Sequence, residues 1–125
     1  MTLIKSYLDL EVYNLSFEVA MKIFRLTKNF PHDEKYALID QIRRSSRSVC
    51  ANISEAFRAR RYKKSFISKL VIAQCEASET QTWLDFALSC EYLDENKYKE
   101  LHNEYEHIMA MILNMTKNVD KWTII

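Results

Sequence analysis

Gln41-Ile42-Arg43-Arg44-Ser45-Ser46-Arg47-Ser48-Val49-Cys50-Ala51-Asn52-Ile53-Ser54-Glu55-Ala56-Phe57-Arg58 reads as a single helix. Extended back to Leu38, the positions Leu38, Ile42, Ser45, Val49, Asn52, Ile53 and Ala56 recur at steps of three and four and share one face. Arg43, Arg44, Arg47, Ser54 and Arg58 fall on the other side. Two polar residues, Ser45 and Asn52, therefore stand inside an apolar stripe. An unsatisfied buried polar group costs about 1–3 kcal/mol, so both are expected to be hydrogen-bonded. Asn52 is read as a structural residue that fixes helix register rather than as a ligand or catalytic group. Small side chains at Ser45, Ser48, Ala51 and Ala56 let a neighbouring helix approach toward the lower end of the usual ~8–10 Å separation.

The rest of the chain agrees with an all-α fold. It has 125 residues, no glycine and one proline, and sheet hairpins depend on glycine for positive φ. One domain is expected, with about two-thirds of the unfolded surface buried. From about residue 8 to 28, Val12, Leu15, Val19, Ile23 and Leu26 form one stripe, and Tyr13, Phe17, Ala20 and Phe24 form a second beside it. Asn29-Phe30-Pro31 ends that helix. The second helix is expected over 33–58, capped by His32 or Asp33, with Asp33 and Glu34 suiting its positive end. The segment from Ala59 to Lys64 has no Gly, Pro, Asn or Asp and is a poor turn by composition. A third helix, 62–91, carries Phe66, Leu70, Ala73, Ala77, Leu84 and Leu88 on one side, with Ile72, Trp83, Phe86 and Cys90 on another. Asp94 caps a fourth, 94–118, built on Leu101, Tyr105, Ile108, Ile112, Met115 and Val119. Lys121 to Ile125 are expected to fray. Short connections make neighbours antiparallel, which gives an up-down-up-down four-helix bundle. The second stripes on the first and third helices predict a homo-oligomer. The patch of Ile72, Trp83 and Phe86 fits core, a subunit contact or a small-ligand pocket.

The run Gln41-Ile42-Arg43-Arg44-Ser45, then Ser48-Val49, then Ala51-Asn52-Ile53 with Glu55, resembles the signature of a family of bacterial four-helix bundles. These proteins are encoded in intervening sequences of large-subunit ribosomal RNA genes. Phe30-Pro31 and Glu34 upstream, and Phe66-Ile67, Leu70, Ile72-Ala73 and Glu79 downstream, extend the resemblance over roughly Leu10 to Val119. It implies bundles that assemble as homopentamers. It also implies kinship with accessory proteins of diversity-generating retroelements, basic pentamers that bind nucleic acid and a reverse transcriptase. The chain departs from the family at Ala56, where glycine is usual, so a different exit from the second helix is expected.

Chemistry is sparse. Glu104-x-x-His107 has di-iron spacing, but there is no second copy, and both residues lie off the apolar centre of their helix, so no metal is expected. His32, His102 and His107 lack a placed partner, as do the nucleophile candidates Ser45 and Cys50. There is no glycine-rich phosphate loop, and the reading is of a non-enzyme without cofactor. Cys50, Cys75 and Cys90 are odd in number, without zinc spacing, and read as buried free thiols in a reducing cytosol. The first residues lack the apolar core of a signal peptide and no run approaches a membrane span, so the expectation is a cytoplasmic protein.

Charge is the informative feature. Gln41 to Lys64 holds Arg43, Arg44, Arg47, Arg58, Arg60, Arg61, Lys63 and Lys64 against one acid, Glu55; subtracting that +7 from the whole-chain +1 leaves −6 elsewhere. Arginine forks match phosphate oxygens, so an RNA or DNA backbone is the leading partner. No stacking-aromatic motif accompanies the run, which favours backbone over base contact. The other readings are a solvated face, or an adaptor docking an acidic protein such as a reverse transcriptase or a ribosome-associated protein.

Overall fold

The computed structural model describes residues 4–122. Its helices are α1 (Glu11–Thr27), α2 (Leu38–Arg58), α3 (Lys63–Ser89), α4 (Glu95–Lys117) and a short α5 (Val119–Trp122), with 3₁₀ turns at Tyr7–Asp9 and His32–Glu34. Among the described residues there is no strand. Each long helix packs on its sequence neighbours and α1 closes against α4, which gives the up-down-up-down antiparallel bundle. The whole seam of α2, Ser45 and Asn52 included, is buried. It meets Val19 and Ile23 of α1, Phe66, Leu70, Ala73, Ala77 and Leu84 of α3, and the apolar face of α4 in one core. A smaller cluster of Phe30, Leu38, Ile39, Ala87 and Leu93 closes one end.

Several boundaries differ from the sequence expectation, each for a local reason. Residues 8–10 are not part of α1, because Asp9 accepts from the Lys5 and Ser6 amides and holds a separate 3₁₀ turn. The second helix begins at Leu38, not residue 33. His32 and Asp33 do not cap it; Glu34 does, its Oε1 accepting from Leu38 N at 3.3 Å while Oε2 accepts from the Tyr92 phenol at 2.8 Å. That carboxylate pushes the Tyr92 pKa up to about 12. Helix α2 runs through fully buried Ala56 to Arg58. Asp94 caps α4 as expected, accepting from Lys97 N at 2.7 Å. Lys121 lies in α5, and 123–125 fall outside the described residues.

The two polar seam residues do different jobs. Thr80 of α3 is hydrogen-bonded to Ser45 of α2 at 2.8 Å and also reaches the Glu76 carbonyl of its own helix at 2.9 Å. Tyr105 of α4 is buried nearby without a hydrogen bond of good geometry; burial raises its pKa, and Thr80 partly offsets this. Asn52 bonds no other helix. Its amide donates to Ser48 O at 2.8 Å and Ser48 Oγ at 3.0 Å within α2, so Ser45 holds the register contact expected of Asn52.

Candidate nucleic-acid interface

On the folded chain the basic run divides among three surroundings. Arg43 is drawn onto the end of α1, where its Nε donates to Thr27 Oγ1 at 2.8 Å and its Nη2 donates to Phe24 O at 3.4 Å. Its guanidinium lies 4.7 Å from the Phe24 ring centroid, with Lys28 at 4.7 Å and Arg47 at 5.6 Å over the same ring. Cations suit this end of α1, where the last carbonyls carry the negative end of the helix dipole.

Arg44 belongs elsewhere. It leans toward α3, 3.9 Å from Asp40, and lines a groove of about 390 Å³ with Gln41, Ser45, Ser48, Glu76 and Glu79. Burial, and then Glu79, raise the pKa of Glu76. The same groove side ends in an apolar hollow of about 340 Å³ lined by Glu34, Ala37, Leu38, Gln41, Trp83, Phe86 and Cys90. The α2–α3 face is therefore acidic, with one arginine in it.

The third group gathers where α2 turns into α3. Arg60 folds back so that its guanidinium lies 3.8 Å from the Phe57 ring, and Nη1 donates to Phe57 O at 2.8 Å. This side chain caps α2 in place of a turn-forming residue, which is how a segment without Gly, Pro, Asn or Asp ends a helix. Arg58 and Arg60 line a pocket of about 130 Å³ with Lys5, Ser6, Tyr7, Ser54 and Phe57. Lys63 pairs with Asp120 of α5 at 2.5 Å. Lys63 and Lys64 open α3, whose first turn has no acid, so both stand at the positive end of its dipole. Arg47, Arg58, Arg61 and Lys64 make no ion pair among the described residues.

The Arg58–Arg60 pocket adjoins a larger one. Tyr7 and Ser54 also line a cavity of about 370 Å³ between α1 and α2, with Tyr13, Phe17, Ala20, Met21, Arg47, Cys50 and Ala51. Neither pocket has a carboxylate among its lining residues. The second stripe of α1 forms one wall, with Tyr7–Tyr13 rings 4.8 Å and Tyr13–Phe17 rings 6.1 Å apart. Aromatics thus do accompany the arginines, contrary to the sequence reading. They come from α1 and the 3₁₀ turn before it, more than twenty positions upstream, and only the packing of these elements on α2 brings them alongside.

The model of the 23S rRNA-intervening sequence protein family matches residues 8–114. The chain belongs to this family. It is similar to a solved protein of unknown function from the S23 ribosomal protein family of Bacteroides thetaiotaomicron. The two are 34% identical over 85% of this chain and 95% of that one, with a TM-score of 0.78. No curated protein matches the chain.

The other sequence candidates have plain surroundings. Glu104 is held by Lys22 at 2.7 Å and His107 is exposed. Among the described residues no group of three or more His, Cys, Asp and Glu is placed to hold a metal ion. Of the three cysteines expected to be buried only Cys50 is, and burial pushes its thiol up to about 11; Cys75 and Cys90 are exposed because they fall on the outward side of α3 and at its end. Trp83 is half-buried against both core clusters and donates to Glu79 Oε2 at 3.3 Å, whereas Phe86 and Ile72 are 54% and 39% exposed. That patch is part core and part open surface. Among the described residues no helix is long and apolar enough to cross a membrane.

Proposed function

We propose that this protein is a non-enzymatic, self-associating bundle of the cytoplasm that holds nucleic acid by its phosphate backbone. The observation that carries the reading is the α1–α2 face, two adjoining hollows with Lys5, Arg47, Arg58 and Arg60 and no carboxylate among their lining residues. Unpaired like charges in one place cost stability unless an anion relieves them, and phosphate oxygens are matched by arginine forks. Lys64 at the start of α3 adds a further unpaired cation, whereas Lys63 is taken by Asp120. The groups that sequence offered as nucleophiles or metal ligands are otherwise engaged: Ser45 with Thr80, Glu104 with Lys22, and Cys50 as a buried thiol. This supports a binding role without catalysis. The homopentamer is the stoichiometry that the sequence resemblance implies.

The test is a fluorescence-anisotropy titration with labelled RNA and DNA across a salt series. Log affinity is expected to fall linearly with log salt, in proportion to the phosphates neutralised. Arg47→Glu with Arg58→Glu weakens binding to all sequences and flattens the slope by about one for each phosphate no longer neutralised. Arg44→Glu, on the acidic face, leaves binding unchanged. Circular dichroism checks that each variant is folded. A folded wild type that binds neither polymer at low salt defeats the reading and turns attention to an acidic protein as the partner.

A further inference from the structure

We infer that the α1–α2 groove takes a single strand, with unpaired bases laid on the rings of α1 and phosphates on the arginines of α2. This rests on the nucleic-acid reading above and narrows it. Phe17 is 51% exposed on the wall of the groove, and Tyr13 beside it extends the same ring surface. A half-exposed phenylalanine adds little to the core, yet every nucleobase has a face that stacks on it. In a duplex those faces are covered by neighbouring bases, and only edges and backbone are offered to a protein. The exposed ring can therefore be used by a single strand and not by a helix of two.

The opposite wall supplies the charge. Arg47 and Arg58 lie along α2 about 16 Å apart at 1.5 Å per residue, a track long enough for a few nucleotides. Arg47 is exposed, its guanidinium carbon 5.6 Å from the Phe24 ring centroid and farther from that ring than Arg43. It makes no hydrogen bond or ion pair among the described residues, whereas Arg43 is already engaged with Thr27 and Phe24 O. Arg47 is thus the fork available to a phosphate and Arg43 its packing support. The hollow between the walls, about 370 Å³, has room for a base or two turned out of a stack and is too small to enclose a duplex.

The experiment compares a labelled oligo-dT and an oligo-rU with a duplex of equal length at one salt concentration. The expected result is single-strand binding at least about tenfold tighter. Phe17→Ala, a change at an exposed position, is expected to weaken single-strand binding by roughly tenfold, within the range for loss of one base–aromatic stack, and to leave duplex binding alone. Phe86→Ala, on the other face, changes neither when the oligonucleotides are short enough to fit one groove. Equal or tighter duplex binding with a neutral Phe17→Ala overturns the single-strand inference and leaves the backbone reading standing. Binding to neither polymer overturns both. A fall in particle mass for Phe17→Ala in light scattering makes this face a subunit contact and also overturns the inference.

Discussion

Among single residues, Ser45 and Thr80 set the clearest energetic contrast. Their bond joins α2 to α3 inside the core, so removing one hydroxyl leaves the other buried with poorer options; the Ile42 carbonyl is 3.4 Å from Ser45 Oγ. Thr80→Val is expected to lower stability by about 1–2 kcal/mol. Pairing it with Ser45→Ala removes both polar groups, and the double variant should lose less than the sum of the singles. Asn52→Ala should cost only about 1 kcal/mol, because its amide bonds stay within one turn of α2. Urea denaturation of these variants beside the wild type measures all three effects. A larger loss for Asn52→Ala than for Thr80→Val would return the register role to Asn52. Sequence spacing placed both polar residues in the buried seam correctly. It did not reveal their partners, because Thr80 lies thirty-five positions away from Ser45 and no local pattern couples them.

For the helices, the absence of glycine decides how they end. Helix α3 closes in a Schellman arrangement, with Tyr92 N donating to Ala87 O and Glu91 N to Leu88 O, both at 2.9 Å. The left-handed position of that motif falls on Glu91, at φ 63°, where glycine is the usual occupant. A side chain with a Cβ costs about 1–2 kcal/mol there. Glu91→Gly should therefore raise stability by about 1 kcal/mol after glycine's greater chain entropy is counted, seen as a higher melting temperature. An unchanged or lower value would mean that the Glu91 side chain makes contacts that offset its backbone strain. The periodicity of apolar residues was enough to find four long helices and Asp94 as a cap. The starts of α1 and α2 were not legible, since long-range and turn bonds of Asp9 and Glu34 set them. Charge counting likewise grouped Arg44 with Arg43 and Arg47, although one residue of helix rotation sends it to the acidic side.

For the molecule as a whole, the two sides of α3 bear on assembly. On the α2 side, Phe86 and Ile72 stand exposed beside half-buried Trp83. On the other, Val71 and Leu113 are each 45% exposed near the Gln74–Met109 bond that joins α3 to α4. Water-facing apolar groups on two unlike surfaces fit a heterologous contact, in which one subunit's first surface meets its neighbour's second. Such contacts close into a ring when the rotation allows, and a ring built on them would leave the α1–α2 groove of every subunit open. Repetition of that groove around a ring would turn a modest attraction per subunit into measurable avidity for one long strand. Multi-angle light scattering at micromolar concentration should give a mass several times the 14.9 kDa of one chain, with five chains the number implied by the sequence resemblance. Phe86→Asp should lower that mass without loss of helix content, because the ring is exposed in a single subunit. The same variant should still bind short oligonucleotides, which fit one groove, and lose affinity mainly for long ones, which span several. A wild type that runs as a folded monomer would sink the assembly. A Phe86→Asp protein of unchanged mass would move the contact to the Val71–Leu113 side, with Leu113→Asp as the variant that decides.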